Sequence, residues 1–312
     1  MEPVNLAIVG YGSMSSRTYC PLLHTFAGRI RLAALVEPDE ARRAEACRTY
    51  AFGASYPSVT ELLDNAPPQA ALVLAPAAHH ADLIRPLLKA GVDVYTEKPD
   101  TYPLAVAREL VDLARERGLV YQVGQNRLFM TALTRAKDFL ADTPVDFIHA
   151  EKSKTVRRTD PEYLFDDGIH VMSPLLWLAG EVDEVLSAVH IPQRMLSAHF
   201  RLATGGAANL VMHGDDGFWV ERFLVHAQGR SVNLSIPDSI ECYSNGEAVG
   251  NSHVGRMNVL FNQASLMGFQ AAVSHFLDCV QTRNEPLGSA ASLLRVHELM
   301  NQVFTLAGIP TL

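Results

Sequence analysis

Cysteine, long apolar runs and clustered positive charge are all scarce in this 312-residue sequence. Its four cysteines, Cys20, Cys47, Cys242 and Cys279, are scattered, with no Cys-x-x-Cys pair. That spacing excludes a disulfide framework and a cysteine zinc site, and it fits a reducing cytoplasm. The apolar stretch at residues 6–9 is far too short to span a bilayer, and no basic region of the signal-peptide kind precedes it. A soluble cytoplasmic protein without a membrane partner is expected. Lys and Arg number 26 against 34 Asp and Glu, a net charge of −8 without any basic run. Nucleic acid is therefore not an expected partner, because a phosphate backbone requires a concentrated positive face.

What is present is enough apolar material for a large core: 48% hydrophobic residues against 19% charged. The length suits two domains. Over residues 1–124, short β-rich runs (6–10, 31–37, 70–75, 93–97 and 120–123) alternate with helical patterns (14–24, 39–50, 80–90 and 103–117). Such alternation with apolar strands predicts a doubly wound parallel sheet of the Rossmann type. From residue 125 to 312 the pattern changes. A helical stretch at 131–141 leads to a strand at 146–154, a helix over 166–180 and then successive strands with glycine breaks from 184 to about 243. Helices at 267–282 and 289–307 close the chain. Strands that follow one another without helices between them predict an antiparallel sheet, so the second domain is expected to be α+β.

Gly10-Tyr11-Gly12-Ser13-Met14-Ser15 follows the first strand and opens a helix. The first glycine permits a tight turn, and the second lets the backbone approach a pyrophosphate. Ser13 and Met14 would then offer helix-start N–H groups, while Ser15 is a small stand-in for the usual third glycine. An ordinary strand–helix turn is the plainer reading; what favours a cofactor is Glu37 at the end of the second strand. Its carboxylate suits the ribose hydroxyls of the adenosine and repels a 2′-phosphate, which favours NAD over NADP. Arg42 and Arg43 read as solvated helix charges. The turn Ala75-Pro76-Ala77-Ala78-His79-His80 follows the third strand, where Pro76 and His80 are candidates to line the nicotinamide side; His79 reads as an ordinary loop residue.

Lys98, in Glu97-Lys98-Pro99, stands directly after a strand. Pro99 fixes its own φ and restricts Lys98 to extended conformations, and Glu97 is placed to brace the lysine or the cofactor. In Asp166-Asp167-Gly168-Ile169-His170, a helix puts Asp166 and His170 on one face, one turn apart. Histidine is a natural base for a hydroxyl proton, a carboxylate orients it, and an ammonium group stabilises a developing alkoxide. The bland alternative makes Asp166 a helix cap. Asn126, Arg127 and Lys152 are candidates for substrate contacts, Arg127 through a bidentate grip on an anion, with an inter-domain ion pair as its equal alternative. Nothing in the sequence demands a metal.

Gly10-x-Gly12, Glu97-Lys98-Pro99, Asp166-x-Gly168-Ile169-His170 and Trp177-Leu178-x-Gly180 together resemble the Gfo/Idh/MocA family, the glucose–fructose oxidoreductase and inositol dehydrogenase family. The resemblance spans the chain. It implies catalytic roles for Lys98, Asp166 and His170, with Glu97 and Lys98 also facing the cofactor. The reaction implied is hydride transfer between NAD or NADP and a secondary alcohol of a sugar, a polyol or a related cyclic compound. The second domain would be a large open sheet that packs against a partner subunit in a homodimer or homotetramer. Some relatives instead retain NAD through elimination or hydrolysis, and a ligand sensor on the same fold is a third reading. Ser173, Gln125 and Leu128 depart from the family pattern where substrate is expected.

Overall fold

The structure, a computed structural model, describes residues 2–141, 143–158, 160–237, 239–253 and 263–312. Short apolar runs become β1 (Val4–Val9), β2 (Ile30–Val36), β3 (Ala54–Tyr56), β4 (Ala70–Val73), β5 (Asp93–Thr96) and β6 (Tyr121–Val123). Between them lie α1 (Cys20–Leu22), α2 (Glu40–Thr49), α3 (Val59–Asn65), α4 (His80–Lys89) and α5 (Leu104–Glu116). The strands form one sheet in the order β3-β2-β1-β4-β5-β6, and every pairing in it is parallel. β4 and β5 are buried along their whole length, as expected of central strands covered on both faces. The order reverses between β1 and β4, and the carboxyl ends of strands beside that point form the crevice of a Rossmann fold.

Two local expectations change here. The helix expected over 14–24 is instead a π turn at Ser15–Tyr19, then α1, then a 3₁₀ turn at Leu23–Phe26. Pro21 lies inside this run and supplies no N–H, so a regular helical ladder cannot pass through it. β3 and α3 were not expected at all: they are short, and only Val59 and Leu62 of α3 are buried.

The chain continues through α6 (Thr131–Leu140), β7 (Val145–Ser153), α7 (Pro161–Ala179), β8 (Val182–Ile191), β9 (Met195–Leu202), β10 (Ala207–His213), β11 (Val220–Ala227), β12 (Arg230–Ile236), β13 (Ser239–Ser244), β14 (Glu247–His253), α8 (Gln263–Leu266), α9 (Phe269–Thr282) and α10 (Ala290–Ala307). The eight strands order as β14-β13-β12-β11-β7-β10-β9-β8. All pairings are antiparallel except β7 with β10. Along β7 and β11 the buried positions alternate, with Ile148 opposite Val225 and Ala150 opposite Phe223.

By contacts the chain divides into two compact units, Met1–Gln125 with Phe269–Leu294, and Asn126–Gly268 with Arg295–Leu312. A single cut after residue 124 leaves out the return of α9 to the first unit. That return is held by charge and rings: Arg283 forks onto the buried Asp93 at 2.6 and 2.9 Å, Arg29 reaches Asp278 at 2.6 Å, and Phe276 packs edge-on against Tyr95. Among the described residues, no helix is long and apolar enough to cross a membrane.

Candidate functional site

In the first unit a groove of about 540 Å³ runs along the carboxyl ends of the strands, with Gly10, Gly12, Glu37, Arg42, Pro76 and His79 in its lining. Gly10 has φ +96°, and a Cβ there would stand 2.8 Å from the backbone nitrogen of Ala75. At Gly12 a Cβ would meet nothing within 4 Å, so the backbone is open to a ligand. Ser13 and Met14 are exposed beside it, while Ser15 is fully buried, as its small size requires. Glu37 is buried and already bonded on both oxygens. Oε2 accepts from the N–H of Tyr11 at 2.8 Å, and Oε1 accepts from Asp39 N–H at 3.0 Å and from Arg42 at 2.8 Å. Arg42 therefore pairs with the carboxylate, and Arg43 donates to the carbonyl oxygen of Glu37, so neither is a merely solvated charge. A bare glycine turn, an open groove and a carboxylate at the end of β2 fit a dinucleotide.

The two histidines of the next turn exchange their expected places. His79 lines the groove, whereas His80, at the first position of α4, is 1% exposed. Its ring nitrogens lie 2.7 Å from the carbonyl oxygens of Pro99 and Ala75, so they are not offered to a cofactor. The 3₁₀ turn Ala77–His79 ahead of α4 sets this phase and turns His80 inward.

Lys98 is half-buried just past β5 and joins Pro99 through a cis peptide bond. Its N–H donates to Glu97 Oε2 at 3.1 Å. Glu97 is buried, and its other oxygen accepts the hydroxyl of Tyr19, which also lies 3.0 Å from the Tyr95 hydroxyl. Glu97 thus braces the lysine's backbone from beneath. Burial, with the Glu97 charge beside it, pushes the Tyr19 phenol well above its ordinary range, so it stays a donor.

In the second unit α7 carries Asp166 and His170, both half-buried, one turn apart on one face. The opposite face, with Leu164, Phe165, Ile169 and Met172, is core. The cap of α7 is Asp160, whose side chain accepts the N–H of Tyr163 at 3.2 Å, with Pro161 in the first turn. Asp166 is therefore well inside the helix and is not its cap. Gly168 lies where a Cβ would meet Met300 at 2.8 Å, which lets α7 settle closely on α10 within this unit.

Asn126, Arg127 and Lys152 are buried and engaged. Asn126 donates to the carbonyl oxygen of Met267 at 2.7 Å. Arg127 forks onto Glu221, both bonds 2.8 Å, and Lys152 reaches the same carboxylate at 2.6 Å. Lys152 also lies 3.7 Å from Asp167, which takes Lys154 at 2.7 Å. The sheet register creates this cluster, because Glu221 stands directly opposite Lys152 on the inner face. Sequence reasoning missed Glu221, Lys154 and Asp167 as partners. A charged residue in the inward phase of an alternating strand was the available signal.

Burial alone would raise the Glu221 carboxyl, but the Arg127 fork and the Lys152 ammonium outweigh it and bring it down to about 2. Burial pulls Lys152 below the ordinary lysine value against the pull of Glu221 and Asp167. The ordinary glutamate value is 4.5, so between there and about 2 the unfolded chain binds a proton that the folded chain does not. Stability from this group is thus full above that window and is lost as pH falls through it. Unfolding midpoints measured against pH should fall steeply there in the parent protein and less steeply in Glu221→Gln, which should also be less stable at neutral pH. Parallel curves would contradict this.

Comparison with known proteins follows the same lines. Residues 4–125 match the GFO/IDH/MocA family, described as an oxidoreductase family with an NAD-binding Rossmann fold. YceM of Salmonella typhimurium is 26% identical over 293 residues, covering 92% of each chain. Inositol 2-dehydrogenase of Corynebacterium glutamicum is 22% identical over 272 residues, 81% of this chain and 80% of that one. The structure of levoglucosan dehydrogenase in complex with NADH and levoglucosan shares the fold, with a TM-score of 0.83 over 98% of both chains at 14% identity. The strand order, the glycine turn and these matches agree: residues 4–125 form an NAD-binding Rossmann fold of the kind described for the Gfo/Idh/MocA oxidoreductase family.

Proposed function

We propose that the protein is a dehydrogenase of a secondary alcohol on a sugar, polyol or related cyclic compound, using NAD in preference to NADP. The observation that carries this reading is topological. In a parallel sheet the glycine turn after β1, the Ala75–Pro76 turn after β4 and Lys98 after β5 all emerge at one edge. A dinucleotide groove and an ammonium group thereby share that edge. The names of relatives support the substrate class, since one oxidises inositol and a structural neighbour binds levoglucosan with NADH.

Nicotinamide, when bound, supplies the carbon that accepts or gives the hydride. The protein supplies the rest. His170 takes the hydroxyl proton as the carbon–hydrogen bond breaks, and Asp166, one turn earlier on the same face of α7, orients the imidazole or holds a neighbouring hydroxyl. Lys98 stabilises the negative charge that grows on the oxygen. Arg127 and Lys152 act through Glu221, holding β7 and β11 in register against α7.

Preference for NAD rests on Glu37, whose buried carboxylate at the groove disfavours a 2′-phosphate. The outward face of the eight-stranded sheet exposes Val189, Ile191, Leu224 and Tyr243, and its role is to pair with a second copy of the chain.

Three outcomes are expected. Oxidation of a panel of sugars and polyols, followed by the absorbance of reduced cofactor, should reveal a substrate. With it, Lys98→Met and His170→Ala should each lose about 100-fold or more in turnover while NADH binding holds; turnover at the parent rate in both would defeat the mechanism. Glu37→Ser should narrow the ratio of NADPH to NADH dissociation constants, and an unchanged ratio would remove the cofactor assignment. Light scattering should give at least a dimer, which Leu224→Arg weakens; a monomeric parent protein would dismiss the role of the sheet face.

A further inference from the structure

The groove and the Lys98 turn are distant in sequence, yet one buried side chain touches both. His80 Nδ1 lies 2.7 Å from the carbonyl oxygen of Pro99, and Nε2 lies 2.7 Å from that of Ala75. A carbonyl oxygen only accepts, so both contacts are hydrogen bonds when each ring nitrogen carries a hydrogen. Ala75 is the residue against which Gly10 is pressed. Pro99 follows Lys98, whose own N–H is held by Glu97, and Glu97 takes the hydroxyl of Tyr19 from the π turn after the glycines. These contacts close a ring: glycine turn, Ala75, His80, Pro99, Lys98, Glu97, Tyr19 and back to the glycine turn. His80 and Tyr19 are the side chains in that ring that reach from one strand-end turn to another.

We propose that His80 is a positioning residue for the reaction, which fixes Lys98 relative to the wall of the dinucleotide groove by holding the Ala75 and Pro99 carbonyls together. The proposal rests on the reading of Lys98 as the group at the reacting oxygen. Nitrogens on opposite edges of one rigid ring fix the separation of the two carbonyls. Burial pulls the imidazole pKa down, the Pro99 and Ala75 carbonyls pull it up, and His79 adds a smaller downward pull. Burial is the largest of these, so the pKa stands below the ordinary histidine value, and the neutral ring donates one hydrogen bond, to Pro99 or to Ala75.

The test combines a spectrum with a mutant cycle. In the parent protein labelled with nitrogen-15 in histidine, His80 should show one protonated ring nitrogen whose hydrogen exchanges slowly with solvent at the pH of the turnover assay. Fast exchange of that hydrogen would overturn the proposal, and this readout stands even if substitutions at His80 fail to fold. His80→Gln keeps one donor nitrogen and should reduce kcat by about 10- to 100-fold, with the KM for NAD changed far less. In a Lys98→Met background the same change should cost little more, because the two act through one group. Equal losses in both backgrounds would mean that His80 only supports the fold, and the proposal fails while the reading of Lys98 survives. Parent-rate turnover by Lys98→Met would instead remove that reading, and the positioning role with it.

Discussion

Two strand ends approach one another more closely than any side chain allows, and the first unit depends on it. Gly10 leaves β1 at φ +96° with its α-carbon against the backbone of Ala75, where a Cβ would stand 2.8 Å from a nitrogen and 3.0 Å from an α-carbon. A larger residue would combine positive-φ strain with a clash against backbone, which cannot swing aside as a side-chain tip can. Because the ends of β1 and β4 stay together, the groove beside them keeps its floor, Gly12 stays bare, and the Tyr11 N–H reaches the Glu37 carboxylate. One missing carbon atom therefore supports the turn, the carboxylate and the open path between them.

The second unit is organised by a different constraint, a buried excess of charge. Arg127, Lys152 and Lys154 face Glu221 and Asp167, and all except Lys154 are buried. Removing such charges from water is costly unless each finds a partner, and loss of one partner leaves another stranded. The pairs join the short 3₁₀ turn at Asn126–Phe129, β7, β11 and α7, with Asp167 next to Asp166 on α7. The helix that presents Asp166 and His170 is thus fixed from below by ion pairs and on its apolar face by core packing, including the tilted contact of Phe165 with His297.

Much of this was legible in the sequence wherever the signal was local. The glycine turn, Glu37, Glu97-Lys98-Pro99 and the Asp166/His170 spacing are short patterns whose chemistry needs no knowledge of distant residues, and the parallel and antiparallel sheets follow from the order of strands and helices. What the sequence concealed was phase and long-range pairing. His79 and His80 exchanged roles because the 3₁₀ turn at Ala77–His79, ahead of an α4 that begins where expected, leaves one ring at the groove and the other in the core. Arg127 and Lys152 looked available to a substrate until the register of β7 with β11 placed Glu221 between them. The return of α9 to the first unit rests on Arg283 and Asp93, 190 positions apart. The cap of α7 was a plainer oversight, since Asp160-Pro161 is a local helix-start signal.

The central claim is that the groove beside Gly10, Gly12 and Glu37 holds a nicotinamide dinucleotide. Titrating the purified protein with NADH and following the cofactor's own fluorescence tests it most directly. The account predicts a saturable change that ends at one NADH per chain and is reversed by added NAD. A signal that does not saturate, or that NAD fails to displace, would contradict it.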